Sequence, residues 1–213
     1  MSEPGIEPLS APTFASAPNG TAVGLLASAI DVIEERGETA VRVEDVASSL
    51  GLAVTAVYRY FGSRQGLIDA AHAERVVRAT SEQLTALEQV VDTSTSVEEF
   101  RSAFDRFVLD SLSPQRRSQM FVRVHAIGSA YGRPELLDFL GEVHRYGVAG
   151  TVRLLERARE RAWISSSVDL EVVAAWFWAV TLGGVVNLVD PTPVDHDAFA
   201  TFSLDALRRS LYA

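Results

Sequence analysis

The sequence predicts an all-α protein of about nine helices. Three observations carry that prediction. Apolar residues recur at helical rather than alternating spacing, capping residues and prolines stand where helices would begin, and no alternating run long enough for a strand occurs anywhere. No internal repeat is found at a spacing of about 20–50 residues.

The elements follow in order. Residues 1–20 hold prolines 4, 8, 12 and 18 among Ser, Ala and Gly with little apolar pattern, and are expected to form a disordered tail. Val23, Leu26, Ile30 and Ile33 then place one apolar face on a first helix, with Thr21 as its expected cap and Gly37 at its end. Val43, Val46, Ala47 and Leu50 mark a second short helix that Gly51 stops. Val54 to Phe61 forms a third, ended by Gly62, and Ser63 caps a long helix from Arg64 to the region of Gln89. Ser96, Pro114 and Pro134 open the next three helices, the last running to about Ala162. Asp169 to Leu188 is strongly apolar, Pro191 and Pro193 interrupt the chain, and Asp195 to Leu211 is the final helix.

Composition excludes several classes of function. There is no cysteine, hence no disulfide, no thiolate metal site and no cysteine nucleophile. The four histidines show no metal-ligand spacing, so no metal or cofactor is expected. No serine-hydrolase, P-loop or dinucleotide glycine motif occurs, which argues against an enzyme. The sequence reading finds no apolar run of about 18 residues and no secretory leader, so a cytoplasmic protein without a membrane helix is expected.

The net charge is −9, and all 19 basic residues are arginines. That sum disfavours a polyanionic partner, but the distribution is uneven. Residues 21–80 carry six arginines against eight acids, whereas residues 50–67 carry Arg59, Arg64 and three aromatic rings with no acid. Two short helices joined by a tight turn at Gly51 fit a helix-turn-helix, whose second helix enters the major groove of DNA. Val46, Ala47 and Leu50 would pack against Val57 and the first long helix, and Thr55, Tyr58, Arg59 and Tyr60 would form the outer face. On the pattern alone, two short core helices of an ordinary all-α protein explain these residues about as well.

The residues carry a more specific resemblance. Gly37, Val43-Glu44-Asp45-Val46-Ala47, Gly51, Tyr58-Arg59-Tyr60-Phe61, Ser63-Arg64 and Leu67-Ile68 stand in the order and spacing of the tetracycline-repressor (TetR) family of bacterial transcriptional regulators. The resemblance spans about Thr21 to Ala71. It implies a helix-turn-helix DNA-binding domain at 21–68 and a helical ligand-binding and dimerisation domain at 69–213. It further implies phosphate contacts from Tyr58, Tyr60 and Arg64, and base reading by Thr55 and Arg59. Arg42 stands where the family more often has a capping threonine, so it would keep a phosphate contact but not the cap. Ala53 likewise replaces the usual cap of the recognition helix.

The implied partners are a palindromic double-stranded operator, a second copy of the chain and a small apolar or amphipathic effector, with repression as the expected mode. The helices near 169–188 and 195–211 are the expected dimer surface. Effector contacts are expected from Phe104, Phe107, Met120, Phe121, His125, Tyr146 and Trp178, the aromatic and polarisable side chains of the middle helices. The competing reading is a helical interaction module that has lost specific DNA binding; Ala53, Val54, Glu44 and the acidic balance favour it.

Overall fold

The computed structural model describes residues 10–14, 20–190, 192 and 194–212. These residues form ten α-helices, the ninth a short continuation of the eighth. They are α1 (Gly20–Arg36), α2 (Val43–Ser48), α3 (Val54–Phe61), α4 (Arg64–Thr93), α5 (Val97–Ser111), α6 (Arg117–Ser129), α7 (Pro134–Glu160), α8 (Leu170–Gly183), α9 (Val185–Val189) and α10 (His196–Tyr212). Single 3-10 turns at Glu38–Ala40 and Pro114–Arg116 precede α2 and α6. No strand occurs among the described residues.

Three apolar clusters build the interior, and α4 contributes to all of them. Its first turns bring Leu67, Ile68 and Ala71 to a cluster with Leu25, Ile30, Val46 and Val57. Ala73 and Val76 join Ala126, Leu136 and Phe139, and Leu84, Leu87 and Val91 join Phe100, Phe104, Leu155 and Phe177. A helix of 30 residues is about 45 Å long, so α4 connects the small head formed with α1–α3 to the larger body.

The ends of these helices are largely set by local chemistry. Ser63 Oγ accepts from Gly66 N at 2.9 Å, and Ser96 Oγ accepts from Glu99 N at 3.2 Å, as the sequence predicts. Glu99 returns the interaction by accepting from the Thr95 backbone and hydroxyl. Asp169 accepts from both Glu171 N and Val172 N at 3.1 Å to start α8. A Cβ on Gly66 would fall on the Phe61 carbonyl oxygen, so α4 can begin this close behind α3 only with glycine there.

Several sequence expectations need correction. Helix α1 begins at Gly20, so Thr21 lies inside it rather than capping it. Its buried face is Ala22, Leu25, Ala29, Ile30 and Ile33; Val23 is exposed because small alanines, invisible to a pattern of large residues, face the core. Leu50 packs over Gly24 of the first helix, as expected, yet stays 43% exposed. Gly147 and Gly150 of α7 admit the side chains of Trp178 and Leu84. The apolar stretch Leu170–Val189 is, contrary to the sequence reading, long and apolar enough to cross a membrane by length and composition. Here it is interrupted near Gly184, and Val173, Phe177 and Trp178 pack into the core. Most of the tail expected at 1–20, and Pro191 and Pro193, lie outside the described residues. Within the tail, Phe14 packs edge-on against Phe139 at 5.0 Å.

Candidate nucleic-acid interface and ligand region

The turn between α2 and α3 is compact. Gly51 adopts φ +67°, a conformation that side chains resist, and Leu52 N donates to the Ala47 carbonyl at 2.9 Å. Val57 is fully buried, which turns the opposite side of α3 outward. Thr55, Tyr58 and Arg59 are exposed there, at positions i, i+3 and i+4 of one helix face. Neither Arg42 nor Ala53 makes a side-chain cap for the helix that follows it.

The remaining two of the predicted contacts sit differently. Tyr60 is half-buried against the head's core, and Arg59 Nη2 donates to its hydroxyl at 2.6 Å while stacking over its ring. Arg64 points its guanidinium into the head: Nε donates to the Val41 carbonyl at 2.7 Å, and Nη2 to the Glu38 and Thr39 carbonyls at 2.9 and 3.3 Å. Arg64 thus clamps the 3-10 turn before α2 onto the start of α4, a role that the sequence motif does not disclose.

Head and body meet at a polar junction that sequence reasoning missed. Glu38 Oε2 lies 2.9 Å from Nε2 of the fully buried His72 and accepts from Ser129 Oγ at 3.0 Å. Arg133 reaches Glu38 Oε1 at 3.4 Å and Asp69 at 3.0 Å, and the His125 ring stands edge-on to His72 at 4.8 Å. Partial burial pushes the Glu38 carboxyl up, but the hydrogen bonds of His72 and Ser129 outweigh it and hold the group below the usual carboxylate range. Burial pushes the His72 imidazole down, against the pull of Glu38. Glu38, His72 and His125 bring potential metal-ligand atoms within 4.8 Å of one another. Spacing rules could not find them, because they come from three separate elements. Arg133 already supplies a cation to the same carboxylate.

The residues expected to contact an effector do not line one cavity. Phe104 and Phe107 border a void of about 10 Å³ in the body's core. Phe107 and Met120 line a second space of about 20 Å³ together with Gln83, Arg116, Gln119 and Arg123. Phe121 and His125 face an open cleft of about 690 Å³ between α1, α4 and α6. Trp178 is buried and donates from Nε1 to Thr151 Oγ1 at 3.1 Å, and Tyr146 packs at the edge of the same cluster. The sequence picked rings and passed over Arg123, although a charged residue on a core-facing helix was the available signal.

The site is thus a compact helical head with an arginine on the outer face of a helix-turn-helix, carried by one long helix on an all-α body. Residues 25–71 match the family model described as bacterial regulatory proteins, tetR family. The match lies within the stretch whose motif resembles that family. Solved structures share its fold along nearly the whole length. A TetR-family regulator from Rhodococcus sp. is 21% identical, with 88% of this chain and 96% of that chain covered and a TM-score of 0.64. A transcriptional regulator from Saccharomonospora viridis in complex with choline is 17% identical, with 89% and 96% covered and a TM-score of 0.63. SmeT, the repressor of the Stenotrophomonas maltophilia multidrug efflux pump SmeDEF, is 20% identical, with 89% of each chain covered and a TM-score of 0.58. No curated protein matches the sequence.

Proposed function

We propose that this chain is a cytoplasmic, homodimeric repressor that binds a palindromic operator and is released by a small effector. Residues 21–68 would form the reading head and 69–213 the sensing and dimerising body, with 1–20 as a tail. The observation that carries this reading is the outward face of α3, where Thr55, Tyr58 and Arg59 project from a helix held rigidly by the buried Val57. An acid-free surface of this kind suits the major groove on a chain otherwise repelled by phosphate. Thr55 and Arg59 are assigned to base edges, and Tyr58 and Arg42 to phosphates. Tyr60 supports Arg59, and Arg64 acts chiefly by fixing the head.

Dimerisation is supported by apolar side chains left in the open on the last helices, with Val172, Val186, Val189 and Phe202 all more than 60% exposed. Two heads related by two-fold symmetry then address two half-sites. Effector binding in the body changes the tilt of α4 and hence the separation of the heads. Choline in the Saccharomonospora viridis protein and the repressor role of SmeT are consistent with a ligand-responsive repressor.

The test is fluorescence anisotropy on duplexes tiling the region upstream of the gene, at two salt concentrations, with an Arg59→Ala variant alongside. One tile bound with a steep salt dependence, and lost in the variant, is the expected result. Equal binding of every tile by both proteins would instead support the interaction-module reading.

A further inference from the structure

Arg123, in the middle of α6, is a cation turned into the protein without a counter-ion. Its guanidinium lies over the Trp178 ring at 4.7 Å, and Nη2 donates to the Ala79 carbonyl and to Gln83 Oε1, both at 3.2 Å. Nε and Nη1 donate to no described residue and remain within reach of solvent, and no carboxylate there comes within ion-pair distance. Burial pushes its pKa down to about 10. A guanidinium stays charged regardless, so an anion reaching it would find a cation with no competing carboxylate.

The surroundings distinguish Arg123 from a structural strut. It borders the space of about 20 Å³ enclosed by α4, α5, α6 and α8, which holds little more than a water molecule as it stands. The other cation on that space, Arg116, is already paired with Asp110 at 2.7 Å. Gln119, also on it, donates to Glu82 at 2.8 Å. Arg123 is therefore the cation without a counter-ion on a cavity also lined by Phe107 and the flexible Met120.

We propose that this cavity receives the head of an effector that is a monocarboxylate with an apolar body, the carboxylate pairing with Arg123 and the body displacing Met120 along Phe107. The proposal rests on the ligand-responsive reading above and names the class of effector. One guanidinium without a partner calls for one negative charge. A cationic ligand would meet two arginines, and a neutral one would leave Arg123 uncompensated. Entry must widen a space so small, which moves α6 against α4 and α8. The same helix ends at Ser129, whose hydroxyl holds Glu38 of the head, and carries His125 against His72. Displacement of α6 thus reaches the head–body junction without any further relay.

The experiment uses the full-length protein, titrated with acetate, octanoate and decanoate, with the methyl esters of the same acids, and with alkyltrimethylammonium salts of matched length. Tryptophan fluorescence and thermal stability report binding, because Trp178 lies against the proposed site. The expected result is saturable binding of octanoate or decanoate, with the matched ester weaker by at least about tenfold and the ammonium salt silent. Arg123→Gln and Arg123→Met should each weaken the carboxylate by at least about tenfold; the methionine variant preserves apolar packing over Trp178 should the glutamine variant fold poorly. The proposal is overturned by three results: no carboxylate of the series binds, the ester or ammonium salt binds as tightly, or a folded Arg123 variant binds unchanged. Release of an operator duplex, followed in the same titration, separates the two readings. Esters or ammonium salts that release DNA would sink the carboxylate site and leave the regulator intact. Arg123-dependent carboxylate binding that leaves DNA bound would do the reverse.

Discussion

Glu38 Oε2 and His72 Nε2 lie 2.9 Å apart, although 34 positions separate them in the chain. The contact joins the turn before α2 to a fully buried position on α4, and Ser129 of α6 shares the same carboxylate oxygen. Head and body are therefore coupled through a titratable pair rather than through apolar packing alone.

That pair makes stability depend on pH in a definite direction. Burial lowers the His72 pKa from its ordinary 6.5, so below that value the unfolded chain binds a proton that the folded chain resists. The contribution is complete above about pH 6.5 and is lost as pH falls through the lowered folded value. Glu38, also lowered, adds a loss of the same sign below its ordinary 4.5. Circular-dichroism melts should show the melting temperature falling on acidification from about pH 7.5 to about pH 5.5. His72→Asn should flatten that slope while lowering stability at neutral pH, and an unchanged slope would remove His72 as its source.

Arg64 is expected to be a stability residue as well as part of the DNA-binding head. It ties three carbonyls, of Glu38, Thr39 and Val41, to the first residue of α4. Charge-assisted hydrogen bonds of this kind are worth about 2 kcal/mol in sum once partial exposure is allowed for. Arg64→Ala should therefore lower the urea midpoint, and Arg64→Lys should not restore it, because an ammonium cannot span the carbonyls that a planar fork reaches. A variant as stable as the parent would restrict Arg64 to contact with DNA.

The missing cap of α3 offers a gain. Ala53 has extended backbone (φ −75°, ψ 148°), the conformation of a capping residue, and its methyl group bonds to nothing. Ala53→Ser supplies the acceptor for the first free amides of α3 and should stabilise the protein by about 0.5–1 kcal/mol. Equilibrium urea unfolding measures this directly, and a loss of stability would contradict the geometry described for the turn.

The exposed apolar side chains at the end of the chain should be buried by a second copy. Phe202 is 68% and Val186 67% exposed on α10 and α9. Phe202→Glu combined with Val186→Glu should halve the mass found by light scattering and leave the helix content unchanged. Operator affinity should then fall, since one head engages only one half-site. A double variant of unchanged mass would place the dimer surface elsewhere.

Much of this was legible in the chain because the signals are local. Ser63 and Ser96 cap the helices they precede, α3 runs over the residues its pattern marks, and the acid-free stretch supplies the exposed Thr55, Tyr58 and Arg59. Legibility failed wherever the deciding partner is distant. The sequence motif does not disclose that Arg64 also bonds the carbonyls of Val41 and Glu38. The expected effector residues are rings and a methionine, which pack equally well into a core; Phe104, Phe107, Met120 and Trp178 are buried in one, whereas His125 is exposed at the junction.

By itself the sequence determined the helical class, the helix-turn-helix and the stretch that matches the family model, since periodicity, caps and turn glycines act over a few residues. Tertiary structure alone decided which polar groups meet. It drew Glu38, His72 and Ser129 together from three elements, and it left Arg123 facing a cavity with no acid to neutralise it. The physical reason is that electrostatic and hydrogen-bond partners are set by proximity in space, and loop closure brings residues together at a cost that grows only slowly with their separation in sequence.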